Sequence, residues 1–324
     1  MIKDTDVILS TRIRFARNIK DYPFAGKIDE TSCREIIEKV EGVLPDFKKT
    51  VFTDIDPVLA QGHVERHAVS REFASATHPR VLLEKGDTKI MVCEEDHIRL
   101  QVIKHGFDLD TAFSEACETD DKLISELRIA YDEKFGFLTH CPTNLGSGMR
   151  ASVMAFLPAL AMTAELGGIV SQLSKLGLTV RGLYGEGSEA WGHLYQISNA
   201  ESMGTTEEAT VARLGDIIGQ VIERERNARE RIKAAGVKYT DPLCRAYGVL
   251  KYACTVSSRE FIELYAKVRL GVALGVITET DYQRLDSLFI SVMPATLCAG
   301  ITMTEAERDI KRASVIKELL SKKE

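Results

Sequence analysis

Two short apolar runs, residues 80–84 and 89–94, flank the tetrapeptide Lys85-Gly86-Asp87-Thr88. This pairing constrains the fold more than any other feature of the chain. A turn so short returns the chain antiparallel, because a parallel neighbour needs a crossover of about a dozen residues or more. A third run at 97–103 follows almost at once, and further strand candidates cover 136–139, 178–184 and 192–198. That spacing excludes the strict strand–helix alternation of a doubly wound sheet.

Helical periodicity separates and follows these runs. Ser32 and Glu35 stand at capping-box spacing just ahead of Ile36, Ile37, Val40 and Val43. A second helix is expected over about 152–176, broken by Pro158 and Gly167-Gly168, so that the loop before Arg150 opens a helix. A third begins at Thr205, with Glu208 as capping partner, and carries Val211, Leu214, Ile218, Val221 and Ile222 on one face as far as Gly236. Beyond Asp241-Pro242 the strand signal fades. The expected architecture is α+β: a largely antiparallel sheet flanked by helices over residues 1–236, then a small helical domain over 237–324.

Composition narrows the function classes. A net charge of −6 offers no basic field for nucleic acid or an acidic membrane. No apolar run approaches the roughly 18 residues of a membrane span, and the polar start Met1-Ile2-Lys3-Asp4 is unlike a signal peptide. The 7 cysteines form no CxxC pair and are odd in number, which points to reduced thiols in a cytoplasmic protein rather than a disulfide scaffold or zinc site.

Four segments place charge where the pattern otherwise reads as strand or tight loop. In Ser10-Thr11-Arg12-Ile13-Arg14, alternation puts Arg12 and Arg14 on one face. In Cys93-Glu94-Glu95-Asp96-His97-Ile98-Arg99, three consecutive acids repel one another unless cations lie nearby. The run from Cys141 to Ser152 is a glycine-bearing loop that delivers Arg150, and residues 181–189 form a glycine-rich turn with Arg181, Glu186 and Glu189. Each alone fits a solvated edge or an ordinary turn. Neither a P-loop nor GxGxxG is present.

Together the four describe one chemistry. Guanidinium forks converging from separate strands can neutralise a triphosphate without a P-loop. Phosphoryl transfer asks mainly for such charge, for alignment, and for Mg2+ arriving with ATP. Two glutamates suit a cationic acceptor: they hold a guanidinium in line, and one takes its proton as the P–N bond forms. Glycines around Glu186 allow that loop to close.

These segments resemble the signatures of the ATP:guanido phosphotransferases, the family of arginine and creatine kinases, and most closely its bacterial protein-arginine kinase branch. CPTNLGSGMRAS, RGLYGEGSEA and EEDHIR carry the likeness, which extends over nearly the whole chain. The resemblance implies a phosphagen-kinase-like catalytic domain. It makes Arg12, Arg14, Arg99, Arg150 and Arg181 the phosphate-binding arginines and Glu95 the carboxylate that takes the guanidinium proton. Glu186 becomes a second carboxylate on the closing loop, and Cys141, otherwise an ordinary buried thiol, lies beside the guanidinium without forming a covalent intermediate. His67 falls near the position beside the nucleotide. No resident metal ligand is implied. The family usually has asparagine where this chain has Cys93, and a thiol cannot supply the amide's two donors.

Two features choose a substrate. Only 9 residues precede Ser10, whereas the small-guanidine kinases carry a helical domain there; this predicts an open site for arginine in a polypeptide. The last helix carries Arg308-Asp309-Ile310-Lys311-Arg312-Ala313, with Arg308 and Arg312 on one face. In the resembled kinases an RDxxRA element binds phosphoarginine away from the active site. The resemblance further implies a homodimer through the C-terminal domain, a zinc-containing activator protein, a Clp unfoldase as downstream partner and a role in stress response. A kinase of free arginine and a catalytically quiet phosphoarginine-binding adaptor are the alternatives. Intact cage arginines and glutamates argue against the adaptor.

Overall fold

The computed structural model describes residues 4–24, 26–182, 190–298 and 300–321. Among them, eight strands build one antiparallel sheet: β1 (Ile8–Arg17), β2 (Lys48–Val51), β3 (Val81–Lys85), β4 (Thr88–Val92), β5 (Ile98–His105), β8 (Met149–Phe156), β9 (Leu178–Gly182) and β10 (Leu194–Asn199). β6 (Tyr131–Asp132) and β7 (Gly136–Phe137) pair separately as a short ribbon. The spatial order β2-β3-β4-β5-β1-β8-β10-β9 puts β5 and β1 at the centre, with β8 on the far side of β1. The expected α+β architecture, with its largely antiparallel sheet, is what the chain adopts. The β3–β4 hairpin closes as its sequence dictates: Lys85 pairs with Thr88, and Gly86 takes the left-handed conformation at φ +57°.

The helices that precede the C-terminal unit are α1 (Glu30–Val43), α2 (Pro57–Glu65), α3 (Arg71–Ser75), α4 (Leu109–Glu126), α5 (Pro158–Met162), α6 (Leu166–Lys175) and α7 (Glu207–Ala234). Ile13 and Phe15 of β1 face the main core, where Ile36 of α1, Ala112 of α4 and Leu214 of α7 are also buried. The intervening Arg12 and Arg14 therefore point to the other face. There a smaller cluster of Phe52, Ala60, Ala68, Val69, Phe73, Leu82 and Met91 seats α2 and α3 over the β2–β4 edge.

Three local expectations need correction. Residues 149–156 form a central strand, not a helix; Met149, Ala151, Val153 and Ala155 alternate inward with period 2, and strands on both sides supply ladder partners. Tertiary pairing, which local sequence does not show, decides the strand here. The cap of α1 is Asp29, whose carboxylate accepts from the Ser32 amide at 2.7 Å, so Ser32 lies inside the helix. Thr206, not Thr205, caps α7.

Helices α8 (Val237–Tyr252), α9 (Ser258–Ala273), α10 (Tyr282–Ser291), α11 (Pro294–Cys298) and α12 (Glu305–Ser321) complete the chain. Gly236, at φ +80°, separates α7 from α8, and Pro242 lies within α8 rather than at a boundary. Buried ties bind this unit to the sheet. Glu65 of α2 accepts from the amides of Ala295 and Thr296, both at 2.8 Å, and so caps α11. Arg269 of α9, fully buried, donates to the Thr5 carbonyl at 2.6 Å.

Candidate active site

The register of β1 against β8 sets Arg14 opposite Arg150 and Arg12 opposite Ser152, and β5 brings Gln101 beside Arg14. A cavity of about 390 Å³ opens over this floor, and Arg14, Arg99, Arg150, Arg181, Glu95 and Cys141 all line it. Burial pushes Arg14 well below its ordinary pKa, and the positive charges of Arg12, Arg99 and Arg150 push further. Burial and the same neighbours lower Arg12 to about 10, and burial with Arg181 and Arg99 lowers Arg150. A guanidinium keeps its proton in a protein, so an anion rather than proton loss relieves this repulsion. The Nε of Arg14 is buried with no acceptor. This is a cation cluster built for a polyanion.

The three consecutive acids divide their work. Glu94 is held by Arg99, whose Nη1 donates to both carboxylate oxygens at 2.7 Å, and by the Ser70 hydroxyl at 2.6 Å. Burial alone would raise Glu94, but Arg99 and the Ser70 bond bring it below the usual glutamate value. Asp96, buried, accepts from Asn18 Nδ2 and from the His140 amide, each at 2.7 Å. Asn18 Oδ1 in turn accepts from the His97 amide at 2.9 Å, and His97 is itself fixed: Nδ1 accepts from the Ile19 amide while Nε2 donates to the Pro23 carbonyl. Glu95 stands between two anchored neighbours. Among the described residues its carboxylate has no hydrogen-bond or ion-pair partner and faces the cavity. Burial, then the charges of Asp96 and Glu94, raise its pKa, as a proton acceptor requires.

The Cys141–Gly148 loop closes another side. Cys141 Sγ lies 3.1 Å from the Thr143 hydroxyl and lines the cavity. Its two glycines permit close backbone approach: a Cβ at Gly146 would sit 2.5 Å from the Ser202 carbonyl oxygen, and one at Gly148 2.5 Å from Arg17 Nη1. Arg17, 1% exposed, ties this loop to β1, donating to the carbonyls of Ser147 at 2.8 Å and Ala16 at 3.0 Å. It also donates to Asp120 from Nε and Nη2 and stacks on the Phe137 ring at 3.6 Å. Arg17→Met should destabilise the fold by about 3–5 kcal/mol, because it strands the buried Asp120 carboxylate; a urea midpoint unchanged from wild type would contradict this.

The remaining candidate residues lie elsewhere. Arg12 and His67 line a small adjoining cavity of about 70 Å³ with Ser10, Ser152 and Met154. Burial and the Arg12 charge lower His67 to about 4, so it is neutral near pH 7. The Gln101 side chain holds that loop down, its Nε2 donating to the carbonyls of His67 at 3.0 Å and Ala68 at 2.8 Å. Glu186 lies outside the described residues. Arg308, Asp309 and Arg312 sit on α12 and line neither cavity. Arg312 is buried and donates to the Val292 and Val256 carbonyls and to Asp309. Cys93 turns from the cavity into the core beside Cys33. Sequence reasoning missed Asn18, Asp96 and Ser70; the buried polar run Arg17-Asn18 between apolar neighbours was the available signal.

Comparison with known proteins agrees with this geometry. The family model "ATP:guanido phosphotransferase, C-terminal catalytic domain" matches residues 29–228, and "Protein-arginine kinase McsB C-terminal domain" matches 237–324. Curated protein-arginine kinases from Caldanaerobacter subterraneus and Symbiobacterium thermophilum are each 40% identical; the alignments cover 99% and 98% of this chain and 99% and 94% of theirs. Among solved structures, the duplicated taurocyamine kinase of Schistosoma mansoni with transition-state analogue components superposes at TM-score 0.62 with 26% identity, over 68% of this chain and 33% of that one. Lombricine kinase shares the fold at TM-score 0.59 and 23% identity, over 69% of this chain and 67% of that one. With its cation cage, a Glu95 set between two anchored acids, and these matches, the chain belongs to the ATP:guanido phosphotransferase family.

Proposed function

We propose that this chain is a protein-arginine kinase, transferring the γ-phosphoryl group of ATP to arginine side chains of proteins. The observation that carries the reading is one cavity in which Glu95, whose carboxylate has no partner among the described residues, faces Arg14, Arg99, Arg150 and Arg181. The arginines receive the triphosphate and stabilise the charge that spreads over the transferred group. Mg2+ belongs to the substrate, bound to phosphate oxygens and water as it usually is in kinases. Among the described residues no group of three His, Cys, Asp or Glu side chains could hold a metal ion. Glu95 orients the acceptor guanidinium and takes its proton as the nitrogen–phosphorus bond forms and the bond to ADP breaks. Cys141 lies against the same space, and Glu186 is the second carboxylate by motif.

The wider reading follows the family. The protein acts in the cytoplasm, in stress response, as a homodimer through its C-terminal helices. A zinc-containing activator stimulates it, and its marks direct substrates to a Clp unfoldase. Arg308, Asp309 and Arg312 form a separate phosphoarginine site. Its support is that the Arg308 guanidinium has no partner among the described residues, while Asp309 holds Arg312 in place.

Incubation with Mg2+·ATP and either an arginine-rich protein or free arginine separates the readings. Phosphate on protein arginine, found by mass spectrometry under non-acidic conditions, is expected. Consumption of ATP with free arginine alone would instead support the small-guanidine kinase, and phosphoarginine binding with no turnover the adaptor.

A further inference from the structure

Three walls of the arginine-lined cavity meet at one buried side chain that does not itself line it. β1 ends at Arg17, and the next residue, Asn18, is wholly buried. Its amide group reaches a different part of the site with each bond. Nδ2 donates to Asp96 Oδ1 at 2.7 Å and to the Leu138 carbonyl at 3.0 Å, while Oδ1 accepts from the His97 amide at 2.9 Å. The Asn18 carbonyl accepts from the Ala130 amide at 2.7 Å. The end of β1, the acid turn and the segment that leads to Cys141 are thus held from one point.

Glu95 sits at the tip of the acid turn, and that turn closes on itself. The Cys93 amide donates to the His97 carbonyl at 2.8 Å, and the Glu94 amide to the Asp96 carbonyl at 3.0 Å. A turn closed in this way moves as one body, so whatever fixes Asp96 and His97 also fixes Glu95. The oxygen of Asp96 that Asn18 grips accepts from the His140 amide as well, next to Cys141. Residue chemistry narrows what could stand here. Leucine has the size of asparagine but no polar atom, and aspartate has no donor and would face Asp96 with like charge.

We propose that Asn18 is a positioning residue for phosphoryl transfer, setting the separation between the Glu95 carboxylate and the Cys141 loop. The acceptor guanidinium must lie between those two sides. Asn18 acts through Asp96, His97 and the Leu138 carbonyl, and it meets neither substrate. The proposal rests on the kinase reading and assigns a residue that the phosphate-binding arginines and the proton acceptor do not include. A misplacement of about 1 Å at the acceptor costs on the order of 10²-fold in rate. The phosphates are met instead by Arg14, Arg150 and Arg181, on strands that the sheet ladder holds.

Steady-state kinetics of the full chain with Mg2+·ATP and an arginine-rich protein test this. Asn18→Ala should lower kcat roughly 10²-fold and leave the KM for ATP within about twofold of wild type. In a Glu95→Gln background the same substitution should cost less than about threefold more, because no carboxylate is left to misplace. Asn18→Asp sets two carboxylates face to face and should lose at least as much as Asn18→Ala. Adding Asp96→Asn to it restores a donor and an acceptor in the reverse sense, and should recover about tenfold or more. If Asn18→Ala fails to fold, Asn18→Ser carries the same comparison. Full kcat without Asn18, an equal loss with and without Glu95, or no recovery in the exchanged pair would each overturn the proposal. A wild type that transfers no phosphate would instead remove the kinase reading itself.

Discussion

Glu95→Gln is expected to lower kcat by about three orders of magnitude while the KM for ATP stays within about twofold of wild type. The amide keeps the size of the side chain and can still accept a hydrogen bond from the acceptor guanidinium, but it cannot take its proton. The structure isolates this effect. Glu94 and Asp96 are committed to Arg99 and Ser70 on one side and to Asn18 and His140 on the other, so neither can move in to replace Glu95. The same environment shapes the pH profile. Burial and the two flanking acids hold Glu95 above the ordinary value of 4.5. The active form is the carboxylate, so kcat/KM should be full above this raised pKa and fall as pH drops through it. An acid limb lying at or below pH 4.5 would contradict the assignment.

Arg150→Ala is the second large effect, a loss of about 10²–10³ in kcat. Arg150 faces Arg14 across the β1–β8 ladder and lines the cavity with Arg181 and Arg99. Its guanidinium contributes charge that a triphosphate needs most when the γ-phosphoryl group is in flight. Removing it also eases repulsion among the remaining cations, so the fold should be no less stable. Arg150→Lys should recover only part of the loss, since an ammonium keeps the charge without the planar fork. ATP use should suffer far more than affinity for the protein substrate; equal loss of both would count against a phosphate-binding role.

Much of this was legible in the chain itself, and the reasons differ by residue. Arg12 and Arg14 could be placed together because alternation in a strand is a local property. The β3–β4 hairpin was legible because a two-residue turn fixes its own pairing. Arg150 was found by motif but assigned to the wrong element. Its strand depends on β1 and β10 as neighbours, distant in sequence and invisible to helical periodicity. The anchoring of Glu95 was not legible either. Asn18 and Asp96 are 78 positions apart, and nothing in the acid triplet says which member is left free.

The role proposed for this cage and Glu95 is to move phosphate from ATP oxygen to arginine nitrogen. The most direct measurement is 31P nuclear magnetic resonance of an arginine-rich protein after incubation with Mg2+·ATP and enzyme. A phosphoramidate resonance that is lost on acid treatment and is absent with Glu95→Gln is expected. An acid-stable phosphate ester, or a phosphoramidate signal undiminished in Glu95→Gln, would contradict it.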